Sequence, residues 1–196
     1  MSFAKPGARI ADVGANIGIY ALAWAKRVGE GGKVWAFEPD PKNLAILKRH
    51  VELNGTAKNT EIRGEALGSK EARLAFSLSG TMSSIQSIAT KSGDVIEVQQ
   101  TTLDNVLGSE KLDVLKIDVE GYEEEVLKGA TKLLSDPSRK PAAIFIEIHP
   151  YAWKALGTTS DSLKLLVTNA GYRLEMMNGS EVGELDFWGE ILALKV

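Results

Sequence analysis

Two groups of residues carry side chains and spacings suited to chemistry. The first is Ala11-Asp12-Val13-Gly14-Ala15-Asn16-Ile17-Gly18. A glycine turn between a strand and a helix lets a ligand approach the backbone and aims free helix N–H groups at it. Asn16 stands where glycine is common, and asparagine tolerates left-handed backbone better than most residues. Glu38 follows 20 residues after Gly18, where a carboxylate can accept hydrogen bonds from both ribose hydroxyls of a nucleoside and repel a 2′-phosphate. The second group is Asp118, Glu120, Glu147 and His149, which suit proton transfer. The same four suit a divalent metal held through oxygen and one imidazole, but their spacing fixes no metal geometry, and none is assigned.

The elements that must position these residues alternate. Strand-like apolar runs cover Ala8–Val13, Lys33–Glu38, Thr60–Arg63, Leu112–Asp118, Ala142–Ile148, Tyr172–Met177 and Phe187–Leu194. Helical stretches cover Ile17–Val28, the segment after Asp40, Tyr122–Leu134 and Asp161–Ala170. Asp40 caps its helix with Pro41 at the first position, and Leu44, Leu47 and Val51 give that helix one buried face. This pattern predicts an α/β fold: a mostly parallel sheet of seven core strands with helices on both faces. Residues 1–196 read as a single domain. An irregular insertion is expected at about 72–102, with strands near Arg73–Ser77 and Val95–Gln99, a polar stretch between, and Asp104 capping a short helix. In open α/β sheets ligands bind outside the carboxyl ends of the strands, and Asp118, Glu120, Glu147 and His149 all fall at such ends.

Composition narrows the partners. The 196 residues carry 23 basic and 26 acidic side chains, a net charge of −3, which disfavours nucleic acid as a partner. The absence of cysteine excludes disulfides, iron–sulfur clusters and cysteine nucleophiles, and with them cytosine-C5 and radical methylation chemistry. No signal segment or membrane span is visible, so a cytoplasmic location is expected.

The loop also selects among nucleoside cofactors. A dinucleotide fingerprint beginning at Gly14 needs glycine at 16 and 19, where Asn16 and Ile19 stand. That disfavours a nicotinamide oxidoreductase. Asp12 with Gly14 and Gly18 instead fits D-x-G-x-G-x-G, the loop of S-adenosyl-L-methionine-dependent methyltransferases, departing only at Asn16. Asp12 is then placed to bind the cofactor amino group, directly or through water.

The chain resembles the FkbM family of methyltransferases. The likeness runs through Asp12–Gly18, Phe37-Glu38-Pro39-Asp40-Pro41, Asn54-Gly55, Ala66-Leu67-Gly68, Ser83-Ser84 and Thr101-Thr102-Leu103-Asp104. It continues through Leu115–Glu123 and Ile146-Glu147-Ile148-His149. Asn16 is normal in that family. The resemblance implies a Rossmann-like sheet of order 3-2-1-4-5-7-6, with strand seven antiparallel. It implies methyl transfer from S-adenosyl-L-methionine, most often to a hydroxyl of a sugar, glycan or secondary metabolite. Relatives usually carry helices ahead of the first strand, where this chain has only a few residues.

These readings assign the site. Asp12, Gly14, Ala15, Asn16, Gly18, Glu38, Pro39, Ala66 and Asp118 are expected to bind the cofactor. His149 is the first choice of general base, with pKa near neutrality; Asp118 is the second, and Glu147 joins them. Ser83, Ser84 and Glu120 are expected to meet a small-molecule or glycan acceptor. Glu120 and Glu123 read equally as helix caps, and Lys116 reads as a structural ion pair. His50 is expected to face solvent. Trp153 and Trp188 suit core packing better than an acceptor pocket. The alternative is a nucleic-acid or protein methyltransferase; against amino-group methylation of a base, the fourth strand ends in Ile117-Asp118-Val119-Glu120 rather than a D-P-P-Y-like motif.

Overall fold

Strands that must be covered on both faces read as continuous apolar runs, and the middle of this fold is made of such runs. A computed structural model describes residues 3–78, 84–85 and 94–196. Its large sheet contains β1 (Arg9–Val13), β2 (Lys33–Phe37), β3 (Thr60–Arg63), β8 (Val114–Ile117), β9 (Ala143–Ile148), β10 (Tyr172–Met176) and β11 (Gly189–Lys195). Counted within this sheet alone, the order is 3-2-1-4-5-7-6. The last strand, β11, runs antiparallel to both its neighbours, and the other pairings are parallel.

Alternation along each strand sends side chains to two layers. On one face Ile10, Val34, Ala36 and Val114 pack under helices α1 (Ile19–Val28) and α2 (Pro41–Leu53), meeting Ala21, Trp24, Leu47 and Val51. On the other, Ala11, Val13, Trp35, Phe37, Leu115 and Ile117 pack under α3 (Leu103–Leu107), α4 (Glu123–Lys128), α5 (Thr131–Ser135), α6 (Pro150–Leu156) and α7 (Ser160–Asn169). The register pairs Asp12 with Lys116. Both fall on the first face, one residue from apolar neighbours that fall on the second. That single polar pair is set into an otherwise apolar layer.

The helix starts follow local chemistry. Asp40 caps α2, its Oδ1 accepting the N–H groups of Lys42 at 2.8 Å and Asn43 at 3.4 Å, with Pro41 beside it. Thr159 and Ser162 form a reciprocal capping box on α7. Asp104 does not cap α3. Thr102 does, accepting Asn105 N–H at 3.0 Å, while Asp104 caps the neighbouring α5 through Lys132 and Leu133 N–H, each at 2.8 Å. The helix expected over Tyr122–Leu134 is broken into α4 and α5 at Gly129-Ala130. α6 has no strong hydrophobic period and was not anticipated.

The two strands expected near Arg73–Ser77 and Val95–Gln99 are present and pair with each other. β4 (Ala66–Leu67), β5 (Ala72–Leu78), β6 (Ser84–Ile85) and β7 (Asp94–Thr101) form a second sheet of order β4-β7-β5-β6. β5 and β7 pair without a slip from Ala72↔Gln100 to Leu78↔Asp94. Phe76, Val98 and Ala66 give this sheet its own small core. No helix among the described residues is long and apolar enough to cross a membrane.

Candidate active site

The site lies at the carboxyl ends of β1, β2, β8 and β9, where the loop after β1 turns into α1. Gly14 has φ 83, and a Cβ there would stand 1.8 Å from the carbonyl oxygen of Asp118. The loop therefore rests directly on the end of β8, and no side chain fits between them. Gly14 and Ala15 donate N–H groups to the Phe37 carbonyl at 3.0 and 2.9 Å, tying the same loop to β2. Asn16 takes a left-handed φ of 49, the tolerance expected of asparagine there.

Glu38 does more than face a ligand. Its Oε2 accepts Asn16 N–H at 2.8 Å and its Oε1 accepts Asp40 N–H at 2.8 Å, so it joins the glycine loop to the cap of α2. Burial pushes its pKa up to about 7, and the Asp40 and Asn16 amides only partly offset this. A carboxylate has about four acceptor positions, and beyond the two backbone bonds one meets the Asn43 side chain on the pocket wall, where a ligand can take its place.

Asp12 is 1% exposed, and neither oxygen completes a hydrogen bond among the described residues. Burial raises its pKa to about 6; Lys116 pulls the other way, as does the nearby Ala21 amide. Lys116 is itself buried, which opposes its charge, but Asp12 and Asp118 outweigh that and raise its pKa. Its Nζ donates to Asp118 Oδ2 at 2.9 Å and lies over the Tyr20 ring. Lys116 is thus the structural ion pair the sequence suggests.

Opposite Glu38 stands the acidic cluster. His149 is buried, with Nδ1 2.8 Å from Glu123 Oε1. A carboxylate accepts, so Nδ1 carries the proton and Nε2 points toward Asp118, Glu120 and Glu147 at 3.9, 3.6 and 3.8 Å. Burial disfavours the charged ring, but the Glu123 bond and the nearby Glu120 and Asp118 prevail, and the pKa is raised. Glu147 is raised too, by burial first and then by Asp118. Glu123, fully buried, also accepts Trp153 Nε1–H at 2.9 Å and Gly121 N–H at 2.8 Å. It orients His149 rather than merely charging a helix start.

Of the expected cofactor residues, Gly14, Asn16, Glu38, Pro39, Ala66 and Asp118 line one pocket together with Glu120 and Glu147. Asp12, Ala15 and Gly18 do not line it. Asp12 lies on the α1 face of the sheet, Ala15 is buried behind the loop, and Gly18 starts α1 with φ 98. His149 stands behind the carboxylates rather than on the wall. Ser83 lies outside the described residues, and Ser84 falls in β6. The pocket also takes Phe37, Asn43, Glu65, Leu67, Phe76 and Val119. Phe76 was legible only as an alternating apolar position, since its place over the site depends on how the second sheet folds back.

Two further side chains differ from expectation, and a third was not singled out. His50 is half-buried, its Nδ1 2.7 Å from the Ile17 carbonyl of the glycine loop. Trp188 is 73% exposed rather than in the core, donating from Nε1 to Glu147 Oε1 at 3.2 Å. Tyr151, also exposed, donates its hydroxyl to Glu120. Two rim aromatics thus hold two of the pocket's carboxylates.

A nucleoside bearing a cationic, partly apolar group fits these walls. Glu38 has acceptor capacity left at one side, the backbone passes close at Gly14, and Glu65, Asp118, Glu120 and Glu147 interleave with Phe37, Leu67 and Phe76. The model of the methyltransferase FkbM domain matches residues 12–174. The antimetabolite synthetase AmbE of Pseudomonas aeruginosa is 30% identical over 215 residues, covering 87% of this chain and 10% of that protein. The hexuronic acid methyltransferase AglP of Haloferax volcanii is 30% identical over 147 residues, covering 70% and 54%. Methyltransferase sdnD of Sordaria araneosa is 30% identical over 154 residues, covering 61% and 59%. The chain spans a tenth of the first relative's length and a little over half of the other two. Among solved structures, methyltransferase FkbM from Methylobacillus flagellatus superposes with a TM-score of 0.60 at 23% identity, covering 96% of this chain and 44% of that one. Aeropyrum pernix fibrillarin, solved with natively bound S-adenosyl-L-methionine, gives 0.53 at 16% identity, covering 98% and 68%. These two likenesses show the Rossmann-like fold, and with the domain match over most of its length the chain belongs to the FkbM methyltransferase family.

Proposed function

We propose that this chain methylates a hydroxyl of a sugar, glycan or secondary metabolite, with S-adenosyl-L-methionine as donor. The observation that carries the reading is the pairing, across one pocket, of Glu38 just past β2 with Asp118 just past β8 and Glu147 on β9. When bound, the cofactor supplies a methyl group on a positively charged sulfur. Glu38 would accept the ribose hydroxyls with its spare lone pairs, while Asn16 and Pro39 set the wall beside it. Asp118, Glu120 and Glu147 favour positive charge in the pocket by simple Coulomb attraction.

The acceptor must lose a proton as its oxygen is alkylated. Asp118 and Glu147 line the pocket and reach it directly; His149 backs them, its ring held by Glu123. The acid cluster as a unit therefore takes the proton, rather than His149 alone at the surface. The rim aromatics Tyr151 and Trp188 offer flat faces for a sugar ring, and the carboxylates they hold accept sugar hydroxyls. The same carboxylates repel phosphate, which disfavours the alternative of a nucleic-acid acceptor. The name of AglP, a hexuronic acid methyltransferase, supports a sugar as the class to try first.

The test is transfer of labelled methyl from the donor to a panel of hexuronic acids, neutral sugars and short glycans, with calorimetric titration of the donor alone. Label appearing on a sugar oxygen supports the proposal. A donor that binds with no transfer to any hydroxyl compound would remove the acceptor class, and a donor that does not bind would remove the whole reading.

A further inference from the structure

The ring of His149 is almost wholly buried, yet Nε2 makes no hydrogen bond among the described residues. Its neighbours Asp118 Oδ1, Glu147 Oε1 and Glu120 Oε2 stand at 3.9, 3.8 and 3.6 Å, too far for such a bond. The donor atoms of Asp118, Glu147 and His149 lie within 4.8 Å of one another. Two oxygens bound at about 2.1 Å to one small cation sit roughly 3 Å apart when adjacent and about 4.2 Å when opposite. The gaps from Nε2 to Asp118 Oδ1 and Glu147 Oε1, 3.9 and 3.8 Å, fall inside that span.

A second feature is independent of the spacing. Glu123 holds Nδ1, which leaves the Nε2 lone pair facing the acids. A buried carboxylate on the far nitrogen is how proteins commonly orient an imidazole that binds metal. The carboxylates are also divided in their duties. Asp118 gives Oδ2 to Lys116 and leaves Oδ1 toward His149, whereas Glu147 turns one oxygen, Oε1, toward both His149 and the Trp188 N–H. Three carboxylates meet at Nε2, and among the described residues Lys116 is the cation paired with them at hydrogen-bond distance.

We propose that Asp118, Glu147 and His149 form a binding site for a hard divalent cation, Mg²⁺ or Mn²⁺. Two carboxylates and one imidazole without sulfur match that class. The coordination left open would draw an acceptor oxygen to the place where the pocket needs it. That use rests on the methyl-transfer reading; binding of the cation does not.

The experiment is titration of the chelator-treated chain with Mn²⁺, following free Mn²⁺ by electron paramagnetic resonance, with Mg²⁺ as competitor. One saturable site that Mg²⁺ displaces is expected. Glu147→Gln and Asp118→Asn, both at partly exposed positions, should each weaken Mn²⁺ at least tenfold. Glu123→Gln should weaken it roughly 10- to 100-fold through the misdirected ring. Glu97→Gln, on the outer face of the second sheet, should change nothing. Absence of saturable binding, or binding untouched by Glu147→Gln and Asp118→Asn together, overturns the proposal. Donor titration on the same samples separates the two readings: Mn²⁺ bound without donor binding sinks the methyl-transfer reading alone, and the reverse sinks the cation alone.

Discussion

Replacing Glu38 by Gln tests the foundation of the site. In the free protein the carboxylate accepts two backbone N–H groups and bonds the Asn43 side chain, which a nucleoside sugar would displace to gain two acceptor positions. Hydrogen bonds to a charged acceptor contribute about 1.5–3 kcal/mol each, so the two ribose bonds together contribute about 3–6 kcal/mol when fully ionised. The amide has one acceptor oxygen instead of two and no charge. It must also leave either Asn16 or Asp40 N–H facing an NH₂ group. The expected loss in donor affinity at pH 8 is roughly 10²–10³-fold, the lower part of that range because the bonds are not additive. The wild type carries a second signature. Burial sets the free carboxyl at a pKa of about 7, and ribose hydroxyls bind only its ionised form well. Affinity should therefore fall as pH drops through 7, by about tenfold between pH 8 and pH 6, whereas the Gln variant should show no such slope. Isothermal titration calorimetry at the two pH values, with thermal melts confirming that both proteins are folded, reads both effects. A Gln variant within threefold of wild type at pH 8, or a flat wild-type profile, would refute the role of Glu38 and with it the placement of the ribose.

Other outcomes follow from the same physics. Asp12 has a folded pKa of about 6 against an ordinary value of 3.8, so the fold binds its proton more tightly than the unfolded chain does, and stability falls as pH rises from about 4 to 6. Asp12→Asn should remove that slope and raise the ligand-free melting temperature at pH 7.5 by roughly 3–8 °C; an unchanged slope in a pH series of melts would show that Asp12 does not carry it. Gly14→Ala drives a Cβ into the Asp118 carbonyl at a positive φ and should cost about 3–5 kcal/mol in denaturant unfolding. Gly55→Ala, strained in φ but with open space around it, should cost only about 1 kcal/mol. Trp188→Ala should leave stability within about 0.5 kcal/mol, because the ring is exposed, yet lower kcat/KM for the acceptor about tenfold with donor affinity unchanged; equal kcat/KM would remove Trp188 from the acceptor rim.

The sheet was legible because its signals are local. Val34-Trp35-Ala36-Phe37 and Val114-Leu115-Lys116-Ile117 are apolar runs of strand length, and Asp40-Pro41 announces a helix start whichever way the chain packs. The glycine loop and Glu38 were legible for a related reason: a strand–turn–helix unit needs glycine where backbone crowds backbone, and the spacing of the acid sets it on the next strand tip. The break of α4 from α5 was less visible, because Gly129 lies against the backbone of Gly68, a contact made from 61 positions away. For the same reason Asp104 was assigned to its own helix when it caps a different one.

Residue types and spacing by themselves determined the fold class, the glycine loop with Glu38 at the next strand tip, and the list of acids at the strand ends. Tertiary structure alone decided which way those acids point. A strand's alternation, once paired in register, turned Asp12 and Lys116 to the α1 face and away from the pocket wall. The packing of α4 against β9 set Glu123 under His149, made one histidine nitrogen a held donor and turned the other toward Asp118, Glu120 and Glu147. Such roles depend on distances of a few ångströms between residues tens of positions apart, and no local pattern encodes them.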